Sequence, residues 1–220
     1  MKTTILKILA SIFLLAAISA CDGKDDNPKP DSEKEKEDEK EKSKSILADN
    51  SIFFFVIDGI RYDTNTKIQE ILDDGYTLYS SSDMTREVGA GKNYGTVRVC
   101  RGNDWIFQLY AINKTNKALT IPECTPFTII LHASWYDKVT IYGDLTFGST
   151  IEEVEKLFVG EISSKTTRKD REEMLGEGFG GDNDVVITYG QSAYSTEGRM
   201  RFEFDDAGKL ADIRLESNSK

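Results

Sequence analysis

From Asp22 to Ser45 the chain carries no Ala, Val, Leu, Ile, Met or aromatic residue; it consists of Gly, Asn, Ser, two prolines, Asp, Glu and Lys, and ends in the alternating charges of DSEKEKEDEKEKSKS. A segment that cannot bury apolar surface has nothing to offset the entropy lost on ordering, so this one is predicted to be disordered. A solvated helix held by charge pairs is the alternative. Pro28 and Pro30 interrupt its start, and short isolated helices are marginal in water. Any core must therefore be built on other residues. As a flexible tether of about 25 residues, the segment spans roughly 5 to 6 Å times the square root of its length.

The residues before this tract carry a different signal. Lys2 and Lys7 precede an apolar run from Ile8 to Ile18, which closes on the small residues Ser19 and Ala20. That is the layout of a secretory signal peptide. The run falls short of the roughly 20 residues needed to span a bilayer, so removal is the expected fate. The tetrad Ile18-Ser19-Ala20-Cys21 resembles a bacterial lipobox. The resemblance implies a thioether-linked diacylglycerol on Cys21, which becomes the first residue of the mature chain. Two or more acyl chains give stable anchoring where one gives only marginal binding. The location this implies is the cell membrane, on its extracytoplasmic face. A plain signal peptide that ends near a cysteine is the other reading.

The 220 residues carry a formal net charge of −10, and about 170 of them remain once leader and tether are set aside, enough for one sizeable core or two small ones. No basic stripe with interleaved aromatics appears, which disfavours nucleic acid as a partner. Anionic lipid surfaces would repel such a chain, so membrane attachment falls to the lipid.

An order of elements occurs twice. Phe55-Val56-Ile57-Asp58-Gly59-Ile60-Arg61-Tyr62 leads through a polar turn to the helical pattern Ile68, Ile71, Leu72, closed by Gly75. Val139-Thr140-Ile141-Tyr142-Gly143-Asp144-Leu145-Thr146-Phe147 leads likewise to Val154, Leu157, Phe158, closed by Gly160. Corresponding positions lie roughly 85 residues apart, as in a tandem duplication with small turn insertions. Thr150 with Glu153, and Thr66 with Gln69, have the spacing of capping boxes. Each short helix has one apolar face, so each is expected to lie on a sheet. Thr96 to Cys100, the turn Arg101-Gly102-Asn103-Asp104 and Trp105 to Ala111 read as a hairpin, and Phe127 to Leu131 as a further strand. Behind the second helix, Val185 to Tyr189, Met200 to Phe204 and Leu210 to Leu215 read as strands, with Gly208 at a left-handed turn position. Met200, Phe202 and Phe204 alternate with Arg201 and Glu203, which predicts one buried face and one wet face. The fold class is thus α+β, with two tandem units, each a short helix on an antiparallel sheet. Residues 1–20 are assigned to the signal peptide, 21–50 to the lipidated cysteine and tether, 51–135 to the first unit and 136–220 to the second.

The second unit also carries Phe147-Gly148-Ser149-Thr150-Ile151-Glu152-Glu153-Val154 and the closing hairpin Arg201-Phe202-Glu203-Phe204-Asp205-Asp206-Ala207-Gly208-Lys209-Leu210. Together these resemble the repeating module of the β-lactamase inhibitor proteins, and are similar to small lipoproteins of Gram-positive bacteria with such modules. The match runs from Val139 to Ser217. The first unit departs from it, because Asp63 and Thr64 stand where the motif has Gly and Ser. The resemblance implies tandem α+β units whose sheets present a face to a protein partner. The inhibitory contacts have no recognisable counterparts here.

With Cys21 committed to lipid, Cys100 and Cys124 form an even pair in an exported chain, the arithmetic of a disulfide. Such a bridge would close a loop of about 25 residues and contribute roughly 3 to 4 kcal/mol in the chain-entropy model. Two unpaired thiols in a reducing niche are the alternative. Zinc is disfavoured, since a structural site takes about four Cys or His ligands and only His132 would join this pair. On its strand, that histidine reads as structural.

No catalytic constellation emerges. Gly190-Gln191-Ser192-Ala193-Tyr194 comes near a nucleophile elbow, but Tyr194 replaces the second glycine and no histidine follows. Gly89-Ala90-Gly91-Lys92-Asn93 lacks the spacing and hydroxyl of a phosphate loop. Gly180-Gly181-Asp182-Asn183-Asp184 lacks the remaining ligands of an EF-hand. Glu152, Glu153 and Glu155 suit a helix start better than an acid/base pair. The chain is therefore expected to be no enzyme, to use no cofactor or metal, and to bind a protein or peptide. Trp105, Trp135 and Tyr136 are the candidate contact residues, since interfaces concentrate energy in such side chains; the alternative is that all three close the core between the two units, as large aromatics commonly do. An envelope enzyme acting on wall polymer or a small ligand, and a passive structural lipoprotein, are the competing classes.

Overall fold

The computed structural model describes residues 45–161, 163–176, 181, 183–190 and 198–217. The leader, Cys21, the tether to residue 44, Ser192 with Tyr194, and Gly180 and Asp182 lie outside the described residues. The strands are β1 (Phe54–Ile57), β2 (Ile60–Asp63), β3 (Thr77–Leu78), β4 (Glu87–Val88), β5 (Asn93–Arg101), β6 (Asp104–Ile112), β7 (Leu119–Thr120), β8 (Thr125–His132), β9 (Val139–Ile141), β10 (Ser163–Thr167), β11 (Val185–Tyr189), β12 (Arg199–Phe204) and β13 (Leu210–Glu216). Among the described residues three α-helices interrupt them: α1 (Ile68–Asp73), α2 (Ile151–Leu157) and α3 (Arg168–Leu175). The α+β class with antiparallel sheets is as expected.

Eight strands form one antiparallel sheet in the order β3-β5-β6-β8-β13-β12-β11-β10. Read outward from the β8–β13 junction, each half of the sheet runs through its own strands in reverse chain order. At that junction Ile129 faces Leu215 and Leu131 faces Ile213. A second, three-stranded sheet, β2-β1-β9, also joins the halves, with Phe55 opposite Ile141. The two halves share one core, in which Val97, Phe107, Leu131, Ile213 and Phe202 belong to a single buried cluster. The opposite sheet face is partly exposed. A row of half-buried side chains crosses it in register, from Arg98 through Gln108, Ile130 and Arg214 to Arg201.

Helix α2 starts as its sequence predicts: Thr150 Oγ1 accepts from the Glu153 amide at 3.3 Å and Glu153 Oε2 accepts from the Thr150 amide at 2.7 Å. Its Val154 is buried, and beyond its end the Phe158 ring stacks on Tyr189 at 4.5 Å. The expected Thr66–Gln69 box does not form on α1. Thr66 Oγ1 accepts instead from the Asp63 amide at 3.0 Å, and Asp63 Oδ1 accepts from the Asn65 amide at 2.7 Å. That tight turn takes Thr66 away from the helix. The Ile68 amide donates to the Cys124 carbonyl at 3.0 Å, so a tertiary contact satisfies an N–H that a cap would otherwise serve.

The described residues begin at Ser45, and those ahead of residue 51 pack into the same body. Two short 3₁₀ turns, Ile46–Ala48 and Asn50–Ile52, bring Leu47, Ile52 and Phe53 into the core. Gly198 donates its amide to the Leu47 carbonyl at 3.1 Å, and the Ser45 hydroxyl and Ile46 amide donate to Glu161. The charged surroundings of Ile46 and Leu47 hid this strap in the sequence. Its place in the core is made by glycines on the opposite half of the chain.

Candidate functional site

Three tight connections meet at one end of the large sheet. Asp58 and Gly59, with φ of 52° and 81°, turn β1 into β2, the two left-handed residues that a two-residue hairpin loop of the Asp-Gly kind requires. Gly102, at φ 62°, turns β5 into β6 and sets Arg101 opposite Asp104. The third is the connection from β8 to β9, which carries Ser134, Trp135 and Tyr136.

Between the second and third lies an open cleft of about 530 Å³, and all three candidate contact residues line it, with Arg101, Asn103 and Ser134. Trp105 and Trp135 meet nearly at right angles, 84°, with ring centroids 6.0 Å apart. Both indoles are half-buried, and neither belongs to the core cluster, although Tyr136 packs against it. Among the described residues neither indole N–H has a hydrogen-bond acceptor. The aromatic surface extends further: Tyr79 meets the edge of Trp105 at 5.6 Å, and the Arg98 guanidinium lies 4.2 Å over the Trp105 ring. Such cation–π contacts contribute about 0.5 to 1 kcal/mol at exposed sites.

A polar chain fixes the rear of the cleft. The Tyr136 hydroxyl donates to Asp58 Oδ1 at 2.7 Å, Asp58 pairs with Arg101 at 2.6 Å, and Arg101 donates to the Tyr76 hydroxyl at 2.6 Å. The Tyr136 hydrogen bond, with the Arg101 guanidinium second, holds the Asp58 carboxyl below the usual carboxylate range. The Asp58 contact in turn pushes the Tyr136 phenol up. The wall behind Trp135 is His132, stacked on it at 5.3 Å and 26°.

His132, Ser134 and Asp212 have the composition of a catalytic triad. Ser134 Oγ lies 2.8 Å from His132 Nδ1, and His132 Nε2 lies 3.4 Å from Asp212 Oδ1. The Ser134 amide also donates to Nδ1, at 3.0 Å, and the amides of Trp135 and Tyr136 both donate to the His132 carbonyl. The lone pair that would activate the hydroxyl is therefore shared with a backbone N–H, and the neighbouring amides are spent within the turn. No pair of free donors is left there for an oxyanion. The arrangement is a local turn built around an imidazole.

The expected Cys100–Cys124 bridge is not formed. Both cysteines are free and buried. Cys100 sits in register with Trp105, whereas Cys124 lies in the core cluster behind the start of α1. Burial pushes the Cys124 thiol up to about 11 and raises Cys100 as well. Neither supplies a thiolate nucleophile near neutral pH.

The three aromatics named from the sequence line this cleft, but the sequence did not disclose Asp58, Arg101, Tyr79, Arg98 and His132 as their neighbours. Only the Asp-Gly pair at Asp58-Gly59 carried a local signal, and it marks a turn rather than a site. No protein-family model matches the chain, and neither the curated proteins nor the solved structures yield a match.

Proposed function

We propose that this chain is a lipid-anchored extracytoplasmic binding protein, attached to the cell membrane through Cys21, that takes a protein or peptide segment at the Trp105–Trp135–Tyr136 cleft. The observation that carries the reading is the convergence of these aromatics on one open cleft while the core is complete without either indole. Large aromatic surfaces with free donor N–H groups and a nearby guanidinium are what protein interfaces concentrate at their centres. The strand order, in which each half of the sheet repeats the other outward from the β8–β13 junction, supports the reading of two related α+β units.

Two measurements test this. Trp105→Ala is expected to weaken capture of the partner by more than about 1 kcal/mol while barely moving the unfolding midpoint. The partner is sought by pull-down from envelope extracts. A large fall in midpoint would remove Trp105 from the contact surface, and turnover of wall fragments would favour an enzyme. Cys21→Ala is expected to abolish acyl labelling and leave the domain folded. Labelled lipid that still attaches would refute the anchor.

A further inference from the structure

We propose that the cleft takes its ligand as an added strand: an extended, basic segment of a partner protein whose backbone pairs with the open edge of β6 at Trp105. The inference rests on the reading of this cleft as the binding site and names the mode and the chemistry of what it binds.

The cleft is a fork in the large sheet. The ladder between β6 and β8 has its last pair at Gln108 and Ile130, yet β6 begins at Asp104 and β8 runs on to His132. Beyond that pair β8 keeps to β13, with His132 opposite Asp212 and the Ala133 amide donating to the Ala211 carbonyl at 2.9 Å. Strand β6 keeps to β5. A bulge marks the parting: Val99 faces Phe107 and the next residue, Cys100, faces Trp105, so Ile106 is the extra residue. Bulges bend a strand, increase its twist and end pairing. Asp104, Trp105 and Ile106 are therefore flanked by a strand on one side only, and all three line the cleft on the other.

The backbone of Trp105 faces this gap. In an antiparallel ladder a residue turns its N–H and C=O to one neighbour, and successive residues alternate between sides. The Arg98 carbonyl accepts from the Tyr79 amide at 3.0 Å, so Arg98 is turned toward β3. Cys100, two residues on, is turned the same way and lies in register with Thr77. Its partner on β6, Trp105, is then turned away from β5. The hairpin gives the same answer: Arg101 and Asp104 close its two-residue loop as the hydrogen-bonded pair, and Trp105 comes next. Among the described residues no loop or turn amide or carbonyl reaches Trp105. An unpaired strand edge is a template for a further strand, whose main chain supplies the bonds while side-chain pockets supply the choice.

Charge narrows the choice. The Asp58 carboxylate and the Arg101 guanidinium neutralise each other at the rear. The exposed Asp104 carboxylate, at the mouth, has no such partner among the described residues. Arg98 lies over the Trp105 ring but outside the lining. The net charge of −10 acts in the same sense, drawing a cationic segment from a distance. A Lys or Arg next to the paired residue meets Asp104 and lays its stem along the indoles. Proline is shut out at the paired position, because it has no N–H to give to the Trp105 carbonyl.

The chain has two tryptophans, so isotope-labelled tryptophan in the full chain, held in detergent micelles, gives two backbone amides to follow by NMR. The Trp135 amide donates to the His132 carbonyl at 3.0 Å and is expected to exchange with solvent slowly, the Trp105 amide fast. The probe is the tightest binder from a phage-displayed library of random decapeptides selected on this chain. It is expected to carry Lys or Arg and to protect the Trp105 amide from exchange. N-methylation is expected to cost about tenfold or more in affinity at one peptide residue and little at its two neighbours, because only alternate N–H groups face β6. Asp104→Asn is expected to weaken binding about two- to fivefold. An acidic binder, a Trp105 amide that still exchanges in the complex, or an N-methyl scan without that alternation overturns the proposal. The two levels fail separately. A binder that Trp105→Ala weakens, but that leaves the Trp105 amide open, overturns strand addition alone, whereas a library without any binder sensitive to Trp105→Ala overturns the peptide cleft as well.

Discussion

Phe202→Ala is expected to destabilise the whole body from Ser45 to Ser217 by about 3 to 5 kcal/mol, in one transition. Phe202 is fully buried on β12, in contact with Phe158 at 5.6 Å and Tyr189 at 6.1 Å. Its removal leaves a cavity lined by rings that cannot collapse onto one another without leaving their rotamers, which puts the cost at the upper end for a core truncation. Cooperativity is the sharper part of the expectation. Phe202 lies in the C-terminal half, whereas both tryptophans lie on β6 and the β8–β9 connection. The halves are joined at β8–β13 and again at β1–β9, so neither can lose its sheet without exposing core of the other. Denaturant unfolding followed by tryptophan emission and by far-UV circular dichroism should therefore give coincident curves, displaced together in the variant. Tryptophan emission that keeps its wild-type midpoint while the dichroism falls early would mean that the halves unfold separately.

That joint body also explains what the sequence could and could not disclose. The strands from Thr96 to Ala111 and from Met200 to Leu215 were legible because their alternation is local, and a period of two leaves little choice about which face is buried. The Thr150 cap was legible for the same reason: its partner Glu153 lies three residues away. By contrast, α3 is RKDREEML, without an apolar stripe, and no residue of it is buried; it follows Thr167, whose side chain and Asp170 form another capping box. Strand β10, SSKTT, is an exposed edge strand that owes its existence to pairing with β11. Neither has a core-facing period to read. The site divides along the same line. Large aromatics in connections are conspicuous, but the link from Tyr136 to Asp58 spans 78 positions, and no local pattern encodes which turn will face which. The Cys100–Cys124 expectation had no local pattern behind it either: an even number of cysteines does not say which two meet, and both are free in this structure.

Phe53→Ala should likewise cost about 3 to 5 kcal/mol, and its coupling to Gly198 distinguishes a packed strap from a passive leader of the domain. Phe53 is 0% exposed, and a Cβ placed on Gly198 would lie 2.1 Å from its ring and 2.8 Å from the Glu216 carbonyl oxygen. The ring is held by the core on every side, so it cannot yield, and the carbonyl belongs to β13. Gly198→Ala alone is therefore an overpacking change, expected to destabilise by about 1 to 3 kcal/mol. Joined with Phe53→Ala, the same methyl enters the space that the ring has vacated, and the double variant should be more stable than the sum of the two losses predicts. Contacting residues in such cycles show couplings of about 0.5 to 3 kcal/mol, whereas distant sites add. Strict additivity would mean that the strap does not pack against Gly198. A favourable coupling ties the first folded turns after the charged tract to the sheet of the opposite half.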